Sequence, residues 1–398
     1  MNPARRAWLA ACAACAAVPA TAPAAAHTAA EAAVQRGNAL AFPRDHGAHL
    51  AARIEWWYVT GWLAATSGPA GAAAPVPPEP SHGFQVTFFR SRVTGAAAVA
   101  ADDERGRFVP RHLLFAHAAI TDLGGRRHLH AQRIGRWNGQ PDAALSGPDR
   151  AATADAALHL ARWQLARDPA SPVHASRWAV QVRSESFALA GTLQAGSPPL
   201  LQGDAGFSRK GPQEHQASHY YSQPQLDAAL TLEVNAGRPL RLNGRAWLDH
   251  EWSDVLLHPQ AVGWDWIGIN LFDGSALTAF RLRRADGSAL WAGGSWRAGS
   301  AAAGAARSFA PDEVRFEPER RWRSAATNAS YPVQWQVHTP AGVHTVRALL
   351  DAQELDGRAG TGAVYWEGLA ELLEASGRRI GLGYLEMTGY ASPLKLAG

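Results

Sequence analysis

The sequence predicts an all-β fold built from two consecutive antiparallel β-barrels, and three observations support this. The chain has 398 residues, more than the roughly 250–300 at which a single core stops growing, so two domains are expected. Short apolar or alternating segments are separated by Gly, Pro, Asp and Ser, as in β-hairpins. Helical periodicity is scarce along the whole chain.

The second half of the chain contains the clearest hairpins. Strand-like segments flank turn residues such as Asp273-Gly274-Ser275 and Ser376-Gly377, which favour tight turns. The predicted pairs are 266–272 with 276–284, 333–338 with 343–350, and 364–374 with 379–390. Glycines alternate with larger residues in the last segment, as expected where strongly curved strands close a barrel.

The first half shows the same strand-like pattern in segments 53–64, 83–91, 113–121 and 178–193. Two stretches rich in Gly, Ala or Pro, 65–81 and 298–306, are predicted to be surface loops. Residues 143–161 are alanine-rich and fit either a short helix or a loop. We place the domain boundary near residue 236, which gives an N-terminal domain at 27–236 and a C-terminal domain at 237–398.

The first 26 residues have the order of a signal peptide. Arg5 and Arg6 precede an alanine-rich apolar stretch, and three alanines at 24–26 precede His27. A periplasmic or secreted protein is therefore expected. A twin-arginine signal, a lipidated Cys12 and a disordered alanine-rich tail are alternatives. Cleavage would remove both cysteines, Cys12 and Cys15, and with them any disulfide or thiol chemistry.

Charge and motif content exclude several classes of partner. The 38 Lys+Arg and 34 Asp+Glu give a net charge of +4, and the arginines are too scattered for a nucleic-acid surface. No segment after the leader reaches the roughly 18 apolar residues of a membrane span. The sequence contains neither a Gly-rich phosphate loop nor a Gly-x-Ser-x-Gly elbow. We expect no cofactor and no nucleic-acid partner.

The most aromatic segment, 55–62, reads EWWYVTGW. On a strand, Glu55 and Trp57 share one face, while Trp56 and Tyr58 share the other. Such aromatics either wall an apolar cavity or fill a barrel core. A carboxylate among them would have a raised pKa and act as a proton donor. The alternative is that Glu55 pairs with an arginine such as Arg53 or Arg90.

A second cluster of polar and aromatic residues covers 247–254, WLDHEWSD, and continues to Trp264 and Trp266. On a strand, His250 and Trp252 share one face, and Asp249 and Glu251 share the other. A neutral histidine beside aromatics suits a proton shuttle. Equally, His250 can be a structural residue that hydrogen-bonds to the backbone.

A third cluster contains His215, His219, Tyr220 and Tyr221. The two histidines have the spacing of a helical metal pair. However, the segment looks like loop and strand, and the glutamate of a helical zinc motif is missing. We expect no metal site.

Six motifs together resemble the carotenoid 1,2-hydratase and AttH-like family, which includes predicted secreted hydrolases. They are 42–49 (FPRDHGAH), 55–61 (EWWYVTG), 84–90 (FQVTFFR), 117–119 (HAA), 219–222 (HYYS) and 248–252 (LDHEW). The resemblance runs from about Phe42 to Tyr390. It implies a pair of lipocalin-like barrels and, for the best-understood members, addition of water to unactivated carbon–carbon double bonds.

Alkene hydration needs an acid, aromatic faces that stabilise a cation, and a positioned water. The resemblance implies that His250 and Trp252 match a His-x-Trp pair of the family, with Asp249 and Glu251 beside it. The family's hydratases also use a tyrosine and an acid on a following strand. The corresponding region here, 277–282, contains neither.

We therefore expect an exported hydratase- or hydrolase-like enzyme that performs acid–base water chemistry on an apolar substrate, for which an isoprenoid is one candidate. The expected site lies where the two barrels meet. The expected catalytic residues are Glu55, Asp249, His250 and Glu251. The expected binding residues are Trp56, Trp57, Tyr58, His219, Tyr220, Tyr221, Trp252, Trp264 and Trp266. A non-catalytic carrier of a lipid or pigment and a scaffold with filled barrels are the alternatives.

Overall fold

Two large antiparallel sheets contain nearly all the regular structure of the computed structural model, which is 60% strand and 3% helical. The structure describes residues 34–65, 79–93, 110–140, 148–255, 257–299, 306–358, 360 and 362–394. Three short 3-10 helices lie at Arg44–His46, Val173–Ala175 and Pro311–Glu313. The predicted all-β class is confirmed.

The first sheet, sheet A, has thirteen strands. They are β1 (Ile54–Ala65), β2 (His82–Arg92), β3 (His112–Asp122), β4 (Arg127–Trp137), β5 (Arg150–Ala151), β6 (Ala157–Leu160), β7 (Trp163–Arg167), β8 (Arg177–Arg183), β9 (Phe187–Gln194), β10 (Leu200–Leu201), β11 (Phe207–Arg209), β12 (Ala217–Val234) and β13 (Leu240–Ser253). Their order is β4-β3-β2-β1-β13-β12-β9-β8-β7-β6-β5, and β10 and β11 pair with β12. The sheet curls until Gly135 of β4 packs against Leu160 of β6, which nearly closes a barrel.

The second sheet, sheet B, has ten strands. They are β14 (Gly263–Leu271), β15 (Ala276–Arg283), β16 (Ala289–Arg297), β17 (Ala306–Phe309), β18 (Arg315–Arg323), β19 (Ser330–Thr339), β20 (Gly342–Ala348), β21 (Glu354–Gly357), β22 (Ala363–Leu373) and β23 (Arg379–Met387). Their order is β17-β16-β15-β14-β23-β22-β20-β19-β18, with β21 on β22.

The chain passes from sheet A to sheet B between Ser253 and Gly263. The turn near residue 237, where the sequence suggests a domain boundary, joins β12 to β13 inside sheet A. β13 takes a central place there because it pairs with β1 on one side and β12 on the other. Both sheets belong to one compact unit, Ala32–Gly398.

Alternation along the central strands separates two environments. Trp57 and Val59 of β1 and Leu248 of β13 point into the barrel of sheet A and join its core. Tyr58 and Trp247, one position along, pack instead with side chains of sheet B. The polar residues of both strands are divided between these two environments in the same way.

Several predicted segments differ from the structure or lie outside it. The alanine-rich segment 143–161 contains strands β5 and β6 in its described part rather than a helix, because Leu158 and Leu160 enter the core of sheet A. The leader at 1–26 and most of the loops at 65–81 and 298–306 lie outside the described residues. No helix in the described ranges is long and apolar enough to cross a membrane.

Candidate active site

The first polar site is a cluster inside the barrel of sheet A, here named the Glu55 cluster: Glu55, Arg90, His49 and His250. Arg90 Nε donates to Glu55 at 2.8 Å, His49 Nδ1 lies 2.7 Å from the carboxylate, and His250 Nε2 lies 3.0 Å from it. The backbone N–H of His49 also donates to Glu55, at 3.0 Å. Glu55, Arg90 and His250 have no exposed surface.

These donors reverse the expected behaviour of Glu55. Burial alone would raise the pKa of its carboxyl. However, Arg90, His49 and His250 outweigh burial and hold the pKa well below its usual range. Of the two interpretations of Glu55, the structure shows the pairing with Arg90, and the lowered pKa does not favour a neutral proton donor.

In the same cluster, both ring nitrogens and the ring face of His250 contact other residues. Its Nδ1 lies 3.1 Å from the backbone carbonyl of Asp45 and 3.3 Å from the Tyr221 hydroxyl. The ring stacks on Trp57 at 4.5 Å. Burial lowers the pKa of His250, although the neighbouring Glu55 carboxylate opposes this shift. His250 meets Glu55 as expected, but inside sheet A and not where the two sheets meet.

One set of atoms in the described part of the chain could share a metal ion: His49 Nδ1, Glu55 Oε1 and His250 Nε2. These atoms hydrogen-bond to one another, and the same carboxylate already binds the Arg90 guanidinium. A second cation there would meet the charge of a fully buried arginine. The donor set therefore fits a hydrogen-bonded network better than a metal.

Three predicted binding residues, Trp57, Trp252 and Tyr221, belong to the core of sheet A. His219 and Trp252 also border a small open depression beside Asn38, Arg44 and His49.

The second site is a cavity between the sheets, of about 370 Å³, here named the inter-sheet cavity. Residues of β1, β2, β3, β12 and β13 form one wall, and residues of β14, β15, β22 and β23 form the other. Its lining is mostly apolar, as in small-molecule sites. The aromatic lining residues are Trp56, Tyr58, Phe89, Phe115, Tyr220, Trp264, Trp266, Phe280 and Tyr365.

Asp249 faces this cavity and is held by three donors. Tyr220 Oη donates to it at 2.6 Å, Ser222 Oγ at 2.5 Å and Trp247 Nε1 at 2.6 Å. Burial still raises the pKa of Asp249 to about 7. The three donors fix the carboxyl in place and orient the Tyr220 hydroxyl.

Two further acids, Glu367 of β22 and Glu386 of β23, also line the cavity and are direct cross-strand neighbours. Burial and the charge of Glu386 raise the pKa of Glu367 well above its usual range. Burial raises the pKa of Glu386 to about 7, although a hydrogen bond from Trp264 opposes the shift. Glu367 Oε1 has no hydrogen-bond partner among the described residues. This pair can carry a proton at neutral pH.

Two smaller polar groups complete the lining. Lys210 Nζ lies 2.9 Å from Glu251 Oε1, and Ser218 Oγ donates to the same oxygen. His117 Nδ1 lies 2.7 Å from the Tyr365 hydroxyl. Burial lowers the pKa of His117 to about 4, so this histidine is a neutral hydrogen-bonding group at the cavity wall.

The predicted site residues thus fall into two separate places. Asp249 and Glu251 reach the inter-sheet cavity with Trp56, Tyr58, Tyr220, Trp264 and Trp266, whereas Glu55 and His250 lie in the other cluster. Sequence reasoning missed Glu367, Glu386 and Lys210. A signal was present, because Tyr365-x-Glu367 and Tyr384-x-Glu386 place a tyrosine and an acid on one face of two consecutive, mostly apolar strands.

Comparison with known proteins agrees with this architecture. The family model described as AttH-like matches residues 33–390. A crystal structure of a protein from Nitrosomonas europaea, assigned as an AttH, is 41% identical. It covers 90% of this chain and 99% of its own, with a TM-score of 0.76.

Kievitone hydratase from Nectria haematococca has a similar fold at 13% identity, with a TM-score of 0.61. The match covers 89% of this chain and 94% of that chain. A comparison with curated proteins gives no match. The family match over most of the chain and the relative at 41% identity lead to one conclusion: the chain belongs to the AttH-like family.

Proposed function

We propose that the inter-sheet cavity is the active site of a hydratase-like enzyme that adds water to a carbon–carbon double bond of an apolar substrate. The observation that carries the proposal is the set of buried carboxyls with raised pKa, Asp249, Glu367 and Glu386, in a cavity walled by aromatic rings. Perturbed acids in a concave apolar site are typical of general acid–base catalysis.

The Glu367–Glu386 pair is the proposed proton donor. Asp249 is bound by three donors that favour its carboxylate form. The pair has fewer donors per carboxyl, with one from Tyr58 at Glu367 and one from Trp264 at Glu386. A protonated Glu386 gives its proton to one alkene carbon, and the electron pair of the double bond forms the new C–H bond.

The neighbouring carbon then carries positive charge. Trp56, Trp264 and Trp266 line the cavity, and their rings stabilise this cation. A water molecule forms the C–O bond and loses a proton to the Glu386 carboxylate, which restores the acid. The net change is addition of one water, and each group ends in its initial state.

The experiment that tests the proposal has two stages. Native mass spectrometry and lipid extraction of the purified protein identify a co-purifying apolar ligand and its double bonds. That ligand is then incubated with the protein in D₂O, where hydration gives a product heavier by one water with a deuterium on the adjacent carbon. Hydrolysis instead gives two fragments, and a carrier returns the ligand unchanged.

The key variants are Glu386→Gln and Glu367→Gln. Each should lower turnover by at least about 100-fold, because loss of a general acid typically costs this much. The control is Glu185→Gln, at an exposed position between β8 and β9. Retention of turnover by both cavity variants would contradict the proposal.

A further inference from the structure

Lysine is nearly absent from this chain. Of the 38 Lys+Arg only two are lysines, Lys210 and Lys395, and Lys210 lines the inter-sheet cavity. Lysine and arginine carry the same charge but differ in shape. An ammonium is a compact point charge with three donors, whereas a guanidinium is a broad planar fork. In a chain whose cations are nearly all arginines, a lysine at the cavity wall therefore places a compact cation there.

The ammonium of Lys210 lies beside two aromatic rings and two oxygen acceptors. Lys210 Nζ lies 4.7 Å from the centre of the Tyr220 ring and 4.3 Å from that of Phe280. It pairs with Glu251 at 2.9 Å and donates to Ser208 Oγ at 3.2 Å. Two of its three donors are thus used among the described residues, and the third remains for an acceptor in the cavity.

The surroundings determine which acceptor fits. An anion beside Lys210 would also lie close to Glu251, whose charge the ammonium already neutralises. An uncharged oxygen accepts a hydrogen bond from the ammonium without this repulsion. The remaining wall is aromatic and apolar, which suits a hydrocarbon body.

We propose that Lys210 determines specificity by donating a hydrogen bond to an uncharged oxygen, of carbonyl or hydroxyl type, at one end of an otherwise apolar ligand. This inference rests on the proposed function and narrows its substrate class from any apolar alkene to an oxygen-bearing one. A site that donates to an oxygen rejects analogues that lack it, because the donor is then left unpaired.

The test uses two fluorescent probes and the full chain. Prodan is a naphthalene ketone whose emission shifts to longer wavelength when its carbonyl accepts a hydrogen bond. Its parent, dimethylaminonaphthalene, lacks the carbonyl. In Lys210→Met the Kd for prodan should rise about 10-fold, as expected for loss of a charged hydrogen bond, and the emission should move to shorter wavelength. The Kd for the parent should stay unchanged.

Two further variants keep the result interpretable. Lys395→Met, at the only other lysine in the sequence, should bind both probes like the wild type. If Lys210→Met does not fold, the double variant Lys210→Met with Glu251→Gln leaves no carboxylate unpaired and should show the same selective loss of prodan. Equal changes for both probes, or none for prodan, would overturn the role of Lys210 alone. Failure of the wild type to bind either probe would overturn the ligand cavity and the proposed function as well.

Discussion

The Glu55 cluster and the inter-sheet cavity contain similar side chains, but the pKa values of their carboxyls shift in opposite directions. Both place buried carboxyls beside tryptophans, on opposite faces of β13. In the cluster, Arg90 and two histidines hold the pKa of Glu55 far below its usual range. In the cavity, no arginine reaches Glu386 among its described neighbours, and burial raises its pKa to about 7.

Burial alone therefore does not make a carboxyl an acid catalyst. The sign of the pKa shift depends on whether donors satisfy the charged form. A carboxylate paired with an arginine and several donors holds neighbouring strands together. A buried carboxyl with few donors stays protonated and can act as a general acid.

Glu55→Gln should be the most damaging change. It leaves the Arg90 guanidinium, which has no exposed surface, without its carboxylate, and loss of one partner of a buried pair costs about 3–5 kcal/mol. Urea unfolding at neutral pH measures the loss. Because the folded-state pKa of Glu55 is lowered, its contribution is present above the usual carboxyl pKa and disappears as the pH falls. A variant as stable as the wild type at neutral pH would contradict the role of Glu55 as a stabilising ion.

His250→Ala should lower the unfolding free energy by about 2–4 kcal/mol, because it removes a buried ring stacked on Trp57 and a donor to Glu55. The affinity of the inter-sheet cavity for dimethylaminonaphthalene should not change, since His250 faces the other side of β13. His215→Ala, at an exposed position, is the matched control. If His250→Ala weakened probe binding without changing the free energy of unfolding, His250 would act in the ligand site and not as a structural residue.

Glu386→Gln should raise the free energy of unfolding at alkaline pH, whereas Glu55→Gln lowers it at neutral pH. The folded state keeps this carboxyl protonated up to about pH 7, whereas the unfolded chain releases the proton near pH 4 to 5. Stability from this group is therefore complete at low pH and declines as the pH rises through about 7. The variant should exceed the wild type by up to about 3 kcal/mol at pH 8 and match it near pH 4. Lower stability at pH 8 would show that the carboxylate is well solvated.

Trp264→Phe should have the smallest effect. The indole donates to Glu386 and lowers its pKa, so removal of the donor should raise that pKa by less than about one pH unit. NMR of ¹³C-labelled glutamate follows the titration, and Trp291→Phe, on β16, serves as the control. An unchanged titration would mean that burial alone sets the pKa of Glu386.

Much of the fold was accessible from the sequence. Alternating segments and turn residues predicted the antiparallel strands, and the EWWYVTG and LDHEW segments proved to be the paired central strands β1 and β13. For 143–161 the sequence left a helix and a loop open, because alanine content carries no information on which residues reach the core. Leu158 and Leu160 form a strand there by packing into the barrel of sheet A.

The sequence by itself determined the strand content, the family motifs and which residues of 55–62 and 247–254 share a face, since side chains alternate along any strand. Only the tertiary structure decided which charged or hydrogen-bonding side chains lie against each face of these strands. Arg90, from β2, turned Glu55 into a fixed ion, and pairing of β22 with β23 placed Glu367 beside Glu386 without such a cation. A pKa depends on neighbours a few ångströms away in space, and the decisive neighbours here lie 35 residues apart along the chain for Arg90 and Glu55 and on separate strands for Glu367 and Glu386.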